Sequence, residues 1–151
     1  MRSGIYPKMN VLILLIGPDG AVKEVRKGKN MVVTAGLNHI ADQLSSVPGE
    51  GAMSHMAVGS GSTATSAATT TMEGQISDRH ALDSRTDSGA VVSYVATFAA
   101  GHGTGALTEA GIFNAATVGT LLCRLTYSVI NKGTDDQLVV TWTCTIADDG
   151  I

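Results

Sequence analysis

The chain has 151 residues, 44% of them hydrophobic and only 15% charged, against about 25% charged in ordinary soluble domains. Its formal net charge of −3 leaves no global basic field to hold nucleic-acid phosphates. Two cysteines make neither a disulfide framework nor a structural zinc spacing.

A chain of this length suits one domain of ordinary size, able to hide roughly 70% of its unfolded surface. So thin a charge coat suits a surface partly covered by neighbours. Composition alone also fits a monomer with a Thr/Ser-rich exterior. Residues 1–8 lack the charged-then-apolar order of a secretory signal, and the apolar run at 11–16 is far too short to span a membrane. The expectation is a chain made in a reducing cytoplasm, without a membrane partner, with residues 1–10 as an N-terminal arm and 11–151 as a single β-rich domain.

Residues 11–16 form a continuous apolar run of strand length, which predicts cover on both faces. Gly17, Pro18, Asp19 and Gly20 are turn formers, and residues 21–26 return as a second strand. Lys23, Arg26, Lys27 and Lys29 make the one basic cluster of this hairpin. Lysines on a strand edge discourage unwanted pairing; the same cluster is a candidate contact for an acidic partner.

A short strand at 30–34 leads into one amphipathic helix at about 34–45, with Thr34 as N-cap. Leu37, Ile40, Ala41 and Leu44 share one face, predicted to be buried, with His39, Asp42 and Gln43 opposite. Residues 55–58 suggest another short strand. The following small-residue segment to Thr71, starting Gly59-Ser60-Gly61, reads as a loop able to lie extended over a neighbour. A helical turn is expected within 72–82.

The last third carries the strongest β signal. Residues 91–99 form a strand, the loop around His102 follows, and then residues 107–113. Residues 121–130 alternate, with Leu121, Cys123, Leu125, Tyr127 and Val129 on one side. Residues 138–146 alternate most clearly, with Leu138, Val140, Trp142, Cys144 and Ile146 facing one way and Val139, Thr141, Thr143 and Thr145 the other. The turn at 131–136 predicts an antiparallel hairpin of these two strands. The fold expected is mainly β: an antiparallel sandwich or barrel-like domain with one short helix.

No motif announces chemistry. Gly59-Ser60-Gly61 lacks the third glycine of a dinucleotide loop, and the glycines around His102 lack the Lys-Ser/Thr of a phosphate loop. His39, His55, His80 and His102 have no zinc-site spacing. No serine sits in a nucleophile elbow, and nothing in the sequence joins Glu73 and Glu109 as an acid–base pair. No cofactor is implied and no enzymatic activity is expected. Cys123 and Cys144 read as buried free thiols rather than a disulfide. Glu109 is odd among apolar and small residues; buried, it needs a partner, and Arg124, Arg79 and Arg85 are the candidates for a structural lock.

Four ordered segments resemble a family of small structural proteins of tailed-phage virions: Asn30-Met31-Val32-Val33-Thr34-Ala35-Gly36-Leu37-Asn38, His55-Met56-Ala57-Val58-Gly59-Ser60-Gly61, Thr108-Glu109-Ala110-Gly111-Ile112-Phe113-Asn114, and Ile130-Asn131-Lys132 with Leu138-Val139-Val140-Thr141-Trp142-Thr143. The family pattern has a proline near residues 130–132, absent here. The resemblance implies a virion location and an assembly role. The first function expected is a capsid decoration (cement) protein that binds the major capsid protein and copies of itself as a homo-oligomer. A tail, collar or fibre component is the alternative, and a carbohydrate-binding module on a host-facing appendage the third. The residues expected at an interface are Lys23, Arg26, Lys27, Lys29, Gly59, Ser60, Gly61, Thr63 and His102; those expected to be structural are Glu109, Arg124 and Trp142.

Overall fold

A computed structural model describes residues 4–148. Two antiparallel sheets pack face to face as a sandwich, with one short helix. The elements run β1 Ile5–Ile16, β2 Val22–Asn30, α1 Thr34–Gln43, β3 His55–Gly59, β4 Gln75–Ala81, β5 Ser84–Ser88, β6 Val91–Phe98, β7 Gly105–Phe113, β8 Leu121–Lys132 and β9 Gln137–Asp148. The five-stranded sheet has the order β2-β1-β9-β6-β5, and the four-stranded sheet β4-β3-β7-β8.

The first hairpin forms as its turn residues direct. Gly17 N–H donates to the Ala21 carbonyl and Gly20 N–H to the Gly17 carbonyl, each at 2.9 Å, with Gly20 at φ +82°. That positive φ is open to glycine without a Cβ clash. The expected arm at 1–10 is corrected: β1 begins at Ile5 and pairs with β9 over its whole length, from Ile5 opposite Asp148 to Ile16 opposite Gln137. Residues 1–3 of that arm lie outside the described residues. Cover on both faces of β1 is also corrected. Met9, Val11, Ile13 and Leu15 are buried, whereas Leu12, Leu14 and Ile16 on the outer face are only half-buried.

The predicted hairpin of the two long C-terminal strands does not form. β8 pairs with β7 in one sheet, while β9 lies between β1 and β6 in the other. Their apolar residues therefore meet across the sandwich instead of lying side by side. A two-faced alternation is satisfied by either arrangement, and the turn at 133–136 is a crossover between sheets. In β8 the alternation breaks between the pairs Leu107–Ile130 and Glu109–Thr126, where a bulge shifts the register. Beyond it Val129 turns outward, and Ile130 and Lys132 turn inward.

Helix α1 presents a different face from the one predicted. Gly36 and His39 are its buried residues, while Leu37 is 46% and Leu44 84% exposed. The phase is set by polar ties and by backbone proximity. Asp42 accepts the N–H groups of Gly49 and Glu50 at 2.8 and 2.9 Å, and His39 Nδ1 lies 3.0 Å from Glu50 Oε2. A Cβ on Gly36 would sit 2.2 Å from the Leu122 carbonyl oxygen, so only glycine lets the helix rest on β8. Val33, not Thr34, is the N-cap, and it makes no side-chain cap bond.

The helical turn expected within 72–82 is instead strand β4, whose Ile76 packs against the core. β5, of sequence SRTDS, has no apolar residue to announce it. Between these two edge strands the chain passes from one sheet to the other: Leu82 N–H donates to Ser54 and Asp83 N–H to the Val95 carbonyl. At the opposite side, Arg26 reaches from β2 to the Ser128 and Val129 carbonyls of β8 at 3.0 and 2.8 Å. Gly28 leaves room there for the Leu125 side chain. The core between the sheets includes Trp142, Phe98, Ile13, Leu107, Ile112, Ile130 and Leu138. Trp142 Nε1 donates to Asn30 Oδ1 at 3.1 Å, which satisfies its one donor. Cys123 and Cys144 are both buried, free thiols.

Candidate interaction surface

The two outer faces of the sandwich differ. That of the four-stranded sheet is covered by the chain itself. Val33, Ala57, Met72, Phe113 and Leu121 form a second small core there, and Arg79 stacks over the Phe113 ring at 3.4 Å. The segment from Ser60 to Gly74 lies across this face, held by a buried ionic centre.

That centre is Glu109 of β7 and Arg124 of β8. Arg124 Nε donates to Glu109 Oε2 at 2.6 Å, with both side chains almost wholly out of solvent. The remaining acceptor capacity of Glu109 is filled by backbone donors: Gly74 N–H at 2.6 Å and Gly61 N–H at 3.0 Å on Oε1, and Glu73 N–H at 3.1 Å on Oε2. Arg124 also donates to the Thr63 carbonyl at 2.8 Å and to Glu73 Oε2 at 3.3 Å. Burial alone would raise the Glu109 pKa, but the donors from Gly74, Arg124, Glu73 and Gly61 hold its carboxyl below the usual range. Glu73 and Glu109 thus come together around one guanidinium. An acid catalyst needs a raised pKa and access to substrate; Glu109 is fully buried, with its lone pairs occupied.

The Gly/Ser/Thr segment folds back on its own sheet instead of extending over a neighbour. Gly59 and Gly61 are buried, and Thr63 bonds Glu73 through both its N–H and its hydroxyl, at 2.8 and 2.9 Å. Ser60 is exposed and its N–H donates to the Gly74 carbonyl. His102 donates from Nε2 to the Asp78 carbonyl at 2.9 Å and meets the rings of His80 and Phe98 edge-on. Among the described residues no group of three or more His, Cys, Asp or Glu is disposed to hold a metal ion.

Among the described residues, the outer face of the five-stranded sheet has no such cover. Register assigns its members. Cross-strand partners share a face, and alternate residues along a strand return to it. Leu12 lies between Lys27 and Thr141, Leu14 between Val25 and Val139, and Asn10 between Lys29 and Thr143. Thr141, Val139 and Thr143 in turn meet Val95, Thr97 and Ser93 of β6. The result is a stripe of half-buried or exposed Leu12, Leu14, Val25, Val95 and Val139 among hydroxyl side chains. Lys8, Lys27 and Lys29 cluster at one corner, and no carboxylate occupies the paired positions of this face.

The basic cluster expected from sequence is therefore divided. Lys23 is spent on Asp136, at 3.0 Å, and Arg26 on β8 carbonyls and Glu24. Lys27 and Lys29 belong to the open face. Lys8, Leu12, Leu14, Val25 and Val139 were not among the residues expected at an interface. The available signal was the second apolar face of β1 beside the Val/Thr alternation of β9.

No protein-family model, curated protein or solved structure matches this chain.

Proposed function

We propose that this protein is a non-enzymatic structural component of a virion, a capsid decoration protein that docks on the major capsid protein through the outer face of its five-stranded sheet. The observation that carries the docking surface is that open face. It joins half-exposed leucines and valines to threonine and serine hydroxyls across five strands, with no carboxylate at its paired positions. Apolar patches rimmed by polar groups mark protein interaction sites, and a pre-formed sheet face binds without having to order its backbone. The virion location and the assembly role rest on the resemblance of the four ordered segments to phage structural proteins.

Copies of the protein also contact one another in this reading. The stripe of Leu37 and Ala41 on α1 and Leu44 at its C-cap is exposed and uncharged, and offers the place for that contact. A sugar-binding role is less well supported: Trp142 is fully buried, and sugar sites display exposed aromatic rings.

The test is quantitation of this chain in purified particles of the phage that encodes it, with cross-linking to its neighbours. A copy number matching the capsid lattice and cross-links to the major capsid protein support the reading. A copy number matching a tail ring or spike replaces it with a tail or collar role, and absence from particles removes it.

A further inference from the structure

We infer that the surface meeting the open sheet face is an acidic, apolar-centred patch on a different protein. This rests on the reading of that face as the docking surface and adds the chemistry of what it meets.

Among the described residues, Lys23 is paired with Asp136, Arg26 with Glu24 and three carbonyls, and Arg124 with Glu109 and Glu73. Arg79 and Arg85 donate to backbone carbonyls, and the buried Lys132 donates to the Ala99 carbonyl at 3.0 Å. Of the described cations, Lys8, Lys27 and Lys29 are the ones that make no ion pair or hydrogen bond. Lys8 only leans over the Tyr6 ring, at 5.2 Å. All three are exposed and lie at one corner of the open face, on neighbouring strands β1 and β2. This local excess of positive charge arises in a chain whose net charge is −3.

Covering the Leu12–Leu14–Val25 stripe would bring that lysine corner close to the partner. An ammonium stripped of water without a counter-charge is costly. The partner must therefore place carboxylates at the corner and apolar or hydroxyl groups along the stripe. A second copy docked by the same face offers no carboxylate from the paired positions described. Nucleic acid would satisfy the lysines, but its sugar–phosphate backbone has nothing to cover the leucines and valines between them. Charge complementarity of this kind acts mainly on association rate and partner choice.

The test measures binding of the full-length chain to particles assembled without it, by co-sedimentation at low and high salt. Three variants are compared: K8E/K27E/K29E, the charge-conserving K8R/K27R/K29R, and L12N/V25N. Near-UV circular dichroism and the melting curve establish that each is folded. The expected result is tight, salt-weakened binding of the parent and the arginine variant, with loss of about tenfold or more in both the glutamate and the asparagine variants. If the asparagine variant fails and the glutamate variant binds normally, the acidic partner is overturned while the docking face stands. If both bind normally, the docking face falls and the acidic partner with it. Binding of the parent to a 20-base-pair DNA duplex or to phosphatidylserine vesicles but not to particles also overturns the inference. Self-association abolished by L12N/V25N would do the same.

Discussion

Arg124 Nε and Glu109 Oε2 meet at 2.6 Å on the outer face of the four-stranded sheet, beneath a loop that supplies three of the carboxylate's four bonds. The pair is therefore as much a clasp for the segment from Ser60 to Gly74 as a link between β7 and β8. Removing Arg124 leaves the Glu109 carboxylate buried with no counter-charge beside it. Arg124→Met is expected to lose about 3–5 kcal/mol of stability in urea unfolding. The double variant Arg124→Met/Glu109→Leu should lose less than the sum of the two single losses, because neither charge then remains unpaired. Strict additivity would show that the two groups do not act as a unit.

The same carboxylate makes stability depend on acid. Its folded pKa lies below the ordinary glutamate value of 4.5, because backbone and guanidinium donors outweigh the opposing effect of burial. The unfolded chain then binds the proton more readily. The contribution of Glu109 is fully present above about pH 4.5 and is lost as pH falls through the depressed folded value. Glu73, Asp42, Glu50 and Asp136 are shifted in the same direction and add to the slope. Burial lowers the His55 pKa, so the unfolded chain also takes up that proton first, and urea midpoints measured from pH 6 to pH 2 should fall gently at first and more steeply below about pH 4.5. A midpoint unchanged down to pH 3 would contradict this account.

Gly36→Ala separates helix propensity from packing. Alanine favours a helix interior by about 1 kcal/mol over glycine. Here its methyl group would meet the Leu122 carbonyl oxygen at 2.2 Å and Val32 Cγ1 at 2.8 Å. The close neighbour is backbone in a paired strand, so it cannot swing aside. A net loss of at least about 1 kcal/mol is expected by chemical denaturation. A gain would mean that α1 lifts from β8 without cost.

Val118 is a β-branched residue held at φ +55° in the loop before β8, with its side chain 86% exposed. Left-handed backbone costs a non-glycine residue about 1–3 kcal/mol, and the exposed side chain has little packing to lose. Val118→Gly relieves the strain but frees the unfolded chain, which offsets about 0.4–1 kcal/mol. The variant is expected to melt a few degrees higher. A lower melting temperature would show that the valine side chain contributes packing that its exposure hides.

Cys123 and Cys144 are both shielded, and burial raises the pKa of each thiol. Thiolate is the reactive form. In neutral buffer a thiol-specific chromogenic reagent should label neither residue in the native protein and both in urea. Rapid native labelling would mean that the sheets open around β8 and β9 without global unfolding.

Much of the β content was written in local patterns. In β9 the alternation of Leu138, Val140, Trp142 and Cys144 with Val139, Thr141, Thr143 and Thr145 reports one buried and one open face directly, because strand side chains repeat every two residues. The turn at Gly17 to Gly20 is equally local. Glu109 stood out because a carboxylate among apolar neighbours needs a partner. By contrast β5 carries no apolar residue, so its pairing with β6 left no trace in periodicity.

Local patterns in the chain mark which residues turn it, which strands have an oily side, and that a buried Glu109 needs a partner. It takes the packed fold to show that β8 and β9 face each other across the core, that α1 turns His39 inward and its C-cap Leu44 outward, and that Lys8, Lys27 and Lys29 share one open corner. The reason is physical: alternation and turn chemistry are set by atoms a few bonds apart. Which strand lies beside which, and which face stays uncovered, depends on filling one shared core with every element at once.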